Sequence, residues 1–446
     1  MIEINKLILK DVRCFEGRKE FNIRPLTFLV GENSTGKSTA LGCFQALSDF
    51  MSLRGFLFYG HNIDFNNEPY QMGAFSDIAR KTQSFSKKFE LGFEIGEVEY
   101  TFILVAREGG SEPILEKIST NFPDGKIVIE IDRSKKRKNL KIKEEKGNKF
   151  NIIVNADKVD LRWLMTHRSF QNSLFDIYAE NKEEKNLKTS SAFKNLLDYL
   201  GKDEKRRYRG FQLGGGYSGD IRTYSFAPIR SKPERTYNPL KETASPEGSE
   251  MPMVLMNLST SEQSRWQELK TKLENFGKAS GLFTDIRVRK LGRSSMSDPF
   301  QLQIKVRGPR GNIVDVGYGI SQILPILVRI LTTRRSTRFL LQQPEVHLHP
   351  KGQAELVSLL IDMAKNSDHV FIVETHSEAM INRARIEIME GGVKPKDISL
   401  IYLEPEGNKV KVHNISFDKK ANMIGVPDSY GDFFLQEHEK LLGFGE

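Results

Sequence analysis

Cysteine is nearly missing from this chain: Cys14 and Cys43 are the only two in 446 residues. Their spacing fits neither a disulfide framework nor a zinc site, and a reducing cytoplasm is the expected home. Long apolar runs are missing too. No stretch of about 18 apolar residues offers a membrane-crossing helix, and the start MIEINKLILKDVRCF lacks the long apolar core of a signal peptide. No membrane partner is therefore expected. Acid is in deficit, with 58 Asp and Glu against 67 Lys and Arg, a net charge of +9 and a sequence pI near 9.2. A basic surplus permits a nucleic-acid partner without requiring one.

What is present begins with length. The chain exceeds the usual ceiling of about 250–300 residues for a single core, so one main domain with a large insertion is expected. Its most informative stretch is Gly31-Glu32-Asn33-Ser34-Thr35-Gly36-Lys37-Ser38, which fits G-x-x-x-x-G-K-[ST] at every fixed position. Leu26–Val30 before it reads as a short buried strand, and Ser38–Leu47 after it as a helix, the context this phosphate loop needs. The glycines let backbone N–H groups turn inward around a polyphosphate, and the helix presents its positive end to the same anion. Asn33, Ser34, Thr35, Gly36, Lys37, Ser38 and Thr39 are the expected ATP-binding residues, with Lys37 reaching the β- and γ-phosphates and the Ser38 hydroxyl ligating Mg²⁺.

Glu3–Leu9 and Lys19–Asn22 read as an antiparallel pair leading into the phosphate-loop strand. Arg13 between them is a candidate to stack on adenine or pair with phosphate, and is equally read as an exposed arginine with no ligand. Gln71 lies in a turn-rich stretch after the first helix; it is a candidate metal sensor or a solvated loop residue. Strand-like runs follow at Phe89–Ile95, Tyr100–Val105, Lys126–Ile131 and Phe150–Val154. The run from Arg133 through Lys135, Lys136, Arg137 and Lys138 suits a phosphate backbone, and is also read as a solvated hairpin tip. Arg162–Gly201 reads as mainly helical, and Leu213–Gly219 as a flexible turn before the chain returns to the main sheet at Ile221–Phe226. Helical spacing resumes over Ser259–Gly277 with a capping box at Ser259 or Thr260, and a hairpin spans Ile286–Val306. The boundaries this implies are the first part of the phosphate-loop domain at 1–87, an insertion, β-rich then helical, at 88–219, the second part of that domain at 220–420 and a short extension at 421–446.

Gly317-Tyr318-Gly319-Ile320-Ser321-Gln322 opens an apolar helix, a second anion site of the helix-entrance kind. Phe339–Gln343 then reads as a buried strand running into Pro344-Glu345-Val346-His347-Leu348-His349-Pro350, and Val370–Val373 as another ending in Glu374-Thr375-His376-Ser377. Alternation would set Glu345, His347 and His349 on one side of an extended segment, which suits a metal.

In its spacing of phosphate loop, G-Y-G-I-S-Q, Q-P-E-V-H-L-H-P and E-T-H-S-E, the chain resembles the ABC-type ATPases of the overcoming-lysogenization-defect (OLD) and RecF-like group, cousins of the structural-maintenance-of-chromosomes heads. Ser225–Tyr237 is similar to a "G-P-x-R" strand of that group, and Pro427–Phe434 to its short C-terminal extension. The resemblance implies an α/β ABC-type P-loop head, a mixed central sheet with flanking helices and an antiparallel β subdomain, carrying a large α+β insertion. It also implies a head-to-head homodimer or higher homo-oligomer, in which Gly317, Gly319, Ser321 and Gln322 cap the γ-phosphate bound by the other copy, and in which the loop of Glu345, His347 and His349 crosses the interface. His376 matches a switch histidine that contacts the γ-phosphate.

One departure matters. Where the group has two acidic residues, one for Mg²⁺ and one for the attacking water, this chain has Gln342 and Gln343. A glutamine carries no charge and accepts no proton as a carboxylate does, so slow hydrolysis is expected. Glu345 and Glu374 are the nearby carboxylates able to take over, and the expected catalytic set is Glu345, His376, Gln343 and Glu374, with Ser38, Gln71 and Gln342 at the metal.

Only about seventy residues follow Glu374, short of a typical domain of about 100–150. A metal-binding TOPRIM nuclease domain is therefore not expected. The resemblance implies instead a switch or sensor controlling a separate effector, a nuclease or toxin, as in bacterial antiphage defence. The alternatives are a DNA-repair or chromosome-associated ATPase binding DNA through its basic insertion, and a non-hydrolysing ATP-dependent scaffold. The DNA reading predicts ATP-dependent, salt-sensitive DNA binding that weakens when Lys135, Lys136, Arg137 and Lys138 are neutralised. Unchanged binding in a salt-titrated mobility assay would remove that alternative.

Overall fold

The computed structural model describes residues 4–51, 63–81, 87–132, 141–155, 195, 222–239, 244–292 and 298–431. The basic run Lys135–Lys138 and the stretch Arg162–Gly201, apart from Asn195, lie outside them, as does the end of Pro427–Phe434. The chain forms two compact units, one of Met1–Ile23, Gly42–Ile221 and Pro405–Lys411, the other of Arg24–Leu41, Arg222–Glu404 and Val412–Glu446.

Strands are β1 (Ile4–Val12), β2 (Phe15–Asn22), β3 (Leu26–Gly31), β4 (Lys88–Ile95), β5 (Val98–Ala106), β6 (Pro113–Phe122), β7 (Gly125–Asp132), β8 (Lys141–Glu145), β9 (Lys149–Asn155), β10 (Arg222–Phe226), β11 (Asp285–Lys290), β12 (Phe300–Lys305), β13 (Gly311–Asn312), β14 (Thr337–Gln342), β15 (Val370–Glu374), β16 (Ile398–Glu406), β17 (Lys409–Phe417) and β18 (Met423–Ile424). Helices are α1 (Lys37–Met51), α2 (Phe75–Ile78), α3 (Met251–Ser261), α4 (Gln263–Ser280), α5 (Tyr318–Thr332), α6 (Pro350–Ser367) and α7 (Glu378–Met389).

The first unit is built on an eight-stranded sheet, β2-β1-β4-β5-β6-β7-β9-β8. Its neighbours are antiparallel except β7 and β9. Period-two burial explains it: Phe89, Leu91, Phe93 and Ile95 of β4 are buried, as are Val98, Tyr100, Phe102 and Leu104 of β5. Phe93 and Tyr100 are register partners whose rings stack at 5.0 Å, the kind of cross-strand aromatic pair that stabilises a sheet.

The second unit holds a seven-stranded sheet, β10-β14-β15-β3-β16-β17-β18, whose first five strands are parallel. These strands are continuous apolar runs, Phe339-Leu340-Leu341 and Val370-Phe371-Ile372-Val373 among them, all buried, as expected of a parallel sheet covered on both faces. Helix α6 packs against β3, β15, α4 and α7, burying Leu356, Val357 and Leu360. A three-stranded sheet, β11-β12-β13, completes the unit.

Two expectations are corrected. The helix read over Ser259–Gly277 is two helices, α3 and α4, meeting at Glu262, whose φ of −135° and ψ of 64° break the helical path. Ser259 and Thr260 do not cap; both hydroxyls donate back to the Met256 carbonyl within α3. Glu345, His347 and His349 do not share one side of an extended segment. The stretch is a turn with His347 at φ 67°, and among the described residues no group of three or more His, Cys, Asp or Glu is placed to hold a metal.

His369 is 1% exposed and lies edge-on to Phe339 and Phe371. Burial pushes its imidazole pKa down, so below about pH 6.5 the unfolded chain binds this proton better than the folded one. Its contribution is thus intact above that pH and is lost as pH falls toward the folded value. Urea midpoints should fall more steeply from pH 7 to 5 in the wild type than in His369→Phe; equal slopes would contradict this.

Candidate functional site

Parallel pairing brings the C-terminal ends of β14, β15 and β3 to one edge, the position at which α/β sheets bind ligands. Gln342 is the register partner of Glu374, and Glu374 of Leu29, so the three strand ends are aligned before any side chain is considered.

The phosphate loop leaves β3 at Gly31. Its φ of 143° and the 2.5 Å that would separate an added Cβ from the Leu403 carbonyl oxygen exclude other residues there. Ser34 and Gly36 also take positive φ. Glu32, Asn33, Ser34 and Ser38 are exposed, whereas Thr35, Lys37 and Thr39 are buried. The Thr35 hydroxyl donates to the Glu32 carbonyl at 2.8 Å. Lys37 Nζ donates to the carbonyls of Gly31 (3.0 Å) and Glu32 (2.7 Å), which holds the ammonium over the loop. Burial pushes its pKa down, and the charges of Glu374 and Glu32 oppose the shift.

Ser38 Oγ donates to Glu374 Oε2 at 3.0 Å, and Gln342 Nε2 reaches the same oxygen at 3.4 Å. Gln343 sits in the left-handed region at φ 43°, and its backbone N–H donates to the Glu374 carbonyl at 2.8 Å. Glu345 Oε1 accepts from Thr375 Oγ1 (2.7 Å) and from the His376 N–H (2.9 Å), tying the turn after β14 to the end of β15. Its Oε2 is buried and has no hydrogen-bond partner among the described residues. His376 is exposed, and its pKa is pushed down by partial burial and then by Lys37, against Glu345 and Glu374.

In the sequence Arg230 falls in the segment similar to a G-P-x-R strand and is a cation open to the nucleotide, a partner subunit or water. Its side chain is 1% exposed, and Nη2 donates to the carbonyls of Gln342 (3.0 Å) and Gln343 (3.3 Å). Burial lowers the guanidinium pKa to about 10, opposed by Glu345, so it stays charged at neutral pH. The Arg230 N–H donates to Gln322 Oε1 at 3.2 Å. Pro228 and Pro233, which hold this stretch extended, and the likeness of Ser225–Tyr237 to a G-P-x-R strand are the sequence signals for it.

At the α5 entrance, Gly317 and Tyr318 are exposed. Ser321 and Gln322 point inward: both are buried, Ser321 Oγ donates to the Tyr318 carbonyl at 2.8 Å, and Gln322 Oε1 holds Arg230. An added Cβ at Gly319 would lie 2.4 Å from the His347 carbonyl oxygen, so glycine permits α5 to meet this turn. The Tyr318 ring packs edge-on against His347 at 4.9 Å, and His349 Nδ1 caps α6 by accepting from the Lys351 N–H.

Arg13 and Gln71 belong to the other unit. Arg13 donates from Nε to the Asp77 carbonyl (3.0 Å) and from Nη2 to the Met72 carbonyl (2.8 Å), and Gln71 is exposed with φ 34°. The structure thus brings together Lys37, Ser38, Gln342, Gln343, Glu345, Glu374 and His376 at one sheet edge.

No curated protein matches the chain. Solved structures similar to it include an Smc head bound to the C-winged helix domain of ScpA, with 11% identity, 93% of this chain and 98% of that one covered and a TM-score of 0.41. A second is the Smc head domain with an extended coiled coil bound to the C-terminal domain of ScpA from Pyrococcus furiosus, with 12% identity, 99% of each chain covered and a TM-score of 0.40. The SMC head domain from Thermotoga maritima has 12% identity, 92% and 98% covered and a TM-score of 0.34. The model of the AAA ATPase domain matches residues 2–381, a span running from β1 through the phosphate loop and the α5 entrance to Glu374 and His376. The chain belongs to the AAA ATPase domain family.

Proposed function

We propose that this chain is an ABC-type ATPase head that binds ATP with Mg²⁺, closes head-to-head on a second copy and acts as a switch for a separate effector. The observation that carries the reading is the meeting of the phosphate loop with a carboxylate and a buried glutamate at one sheet edge, where Ser38, Glu374 and Glu345 converge. Oxygen donors of the Ser38 and Glu374 kind suit Mg²⁺, a hard cation. When bound, the ion supplies charge neutralisation across the β- and γ-phosphates.

The residues then divide the work. Lys37, released from the Gly31 and Glu32 carbonyls, takes the β- and γ-phosphates. Gly317 and Gly319 at the α5 entrance receive the γ-phosphate of the second copy; this entrance has no side-chain cap, so its first N–H groups are available to an anion. Ser321 and Gln322 hold that entrance from inside. His376 donates to the γ-phosphate through a ring N–H. Glu345 uses the free Oε2 to orient water, while Oε1 keeps the turn attached to Thr375 and His376. Closure draws its free energy from a γ-phosphate shared between two copies, which a diphosphate cannot bridge. Control of a nuclease or toxin in antiphage defence is the role that the motif resemblance favours.

The test is steady-state turnover with mass by light scattering, with and without ATP. Lys37→Ala should lose both turnover and any ATP-dependent gain in mass. Glu345→Gln keeps the shape and the Oε1 acceptor, so it should keep the mass gain while turnover falls by roughly 10²-fold or more. Wild-type turnover in Glu345→Gln would remove Glu345 from the mechanism.

A further inference from the structure

The two glutamines at the end of β14 pose a problem of charge. Mg²⁺ on a nucleotide is usually held by one or two protein carboxylates beside the phosphates, and neither Gln342 nor Gln343 is one. Three carboxylates are near enough to consider. Glu345 spends Oε1 on Thr375 and on the His376 N–H. Glu32 is exposed on the phosphate loop, where its backbone carbonyl anchors Lys37 and Thr35. Glu374 is 5% exposed and accepts directly from the Ser38 hydroxyl.

Register explains how Glu374 comes to be there. It pairs with Gln342 on one side and Leu29 on the other, which places it one strand nearer the phosphate loop than Gln342. Adjacent strands lie about 4.8 Å apart, a step that side chains of this length span. Gln342 Nε2 points at the same Glu374 oxygen as Ser38. Gln342, itself buried at 7% exposure, thus serves as a donor that orients an acid held on its neighbour.

From this geometry we infer that the metal-holding carboxylate of this ATPase stands on β15, as Glu374, and that Gln342 is its positioning residue. The inference rests on the reading of the chain as an Mg²⁺-dependent ATPase. It places the negative charge at the end of the strand that Thr375 and His376 directly follow, so the groups facing cation, Glu345 and γ-phosphate succeed one another without interruption. It also assigns the glutamine pair a working role: Gln342 donates a hydrogen bond that a carboxylate at the same position could not give, and a second carboxylate there would repel Glu374.

The test reads affinity rather than turnover. Binding of a fluorescent ATP analogue to the full chain is measured in EDTA and in Mg²⁺, and Mn²⁺ binding to the nucleotide complex is followed by electron paramagnetic resonance. Wild type should bind more tightly with Mg²⁺. Glu374→Gln should keep its affinity in EDTA and lose at least about tenfold of the Mg²⁺ enhancement, with Mn²⁺ affinity falling in parallel; Gln342→Leu should lose roughly tenfold of Mn²⁺ affinity, the scale of outer-shell partners. Glu374→Asp, which retains the charge, should recover part of the loss. The exchange variant Gln342→Glu/Glu374→Gln should recover part too, because the acid returns within one strand spacing. Full Mg²⁺ enhancement in Glu374→Gln, or no recovery in either charged variant, overturns the assignment. Wild type that binds the analogue without any Mg²⁺ effect, or not at all, overturns instead the ATPase reading beneath it.

Discussion

Five parallel strands in register are the constraint on which the site depends. Because β10, β14, β15, β3 and β16 run the same way, their polar ends emerge at one edge. Ser38 and Glu374 therefore meet at 3.0 Å although 336 residues separate them in sequence. The apolar strand interiors, Phe28, Leu341, Phe371 and Val373 among them, hold that register by burial. A slip of one residue would turn Glu374 to the opposite face of the sheet. The core thus sets the register on which the site's own hydrogen bonds act.

Beside that edge the protein accepts polar groups that an apolar core would avoid. Arg230 Nε and Nη1, Gln322 Nε2 and Glu345 Oε2 are buried without hydrogen-bond partners among the described residues. Unsatisfied groups of this kind cost about 1–3 kcal/mol each. They gather where α5, the segment through Arg230 and the turn after β14 come together. Arg230 fixes the carbonyls of Gln342 and Gln343, and Gln322 fixes the backbone of Arg230. A change at the α5 entrance thereby has a short physical route to the groups that face the phosphate.

Much of this was legible in the sequence wherever a pattern is local. The phosphate loop, the strands ending at Gln342 and Glu374 and the apolar helix α5 all show in periodicity and motif spacing. What stayed hidden depends on partners distant in the chain. Strands β6 and β8 carry mixed polar sequences, PILEKISTNF and KIKEE, and become strands through neighbours that complete their ladders. The break at Glu262 leaves no proline or glycine to mark it. Arg230 looks like any surface cation until the fold closes over it. Glu374 was one of two candidate acids with Glu345, and only register sets it against Ser38.

In the proposed site a nucleotide's metal is held at this edge by Ser38 and Glu374. Anomalous diffraction from Mn²⁺ in crystals of the chain with a non-hydrolysable ATP analogue tests it most directly. An anomalous peak is expected within coordination distance of Ser38 Oγ and a Glu374 carboxylate oxygen, with Gln342 hydrogen-bonded to Glu374 and not ligating. A peak at Glu345, or at Gln342 with Glu374 turned away, would contradict it.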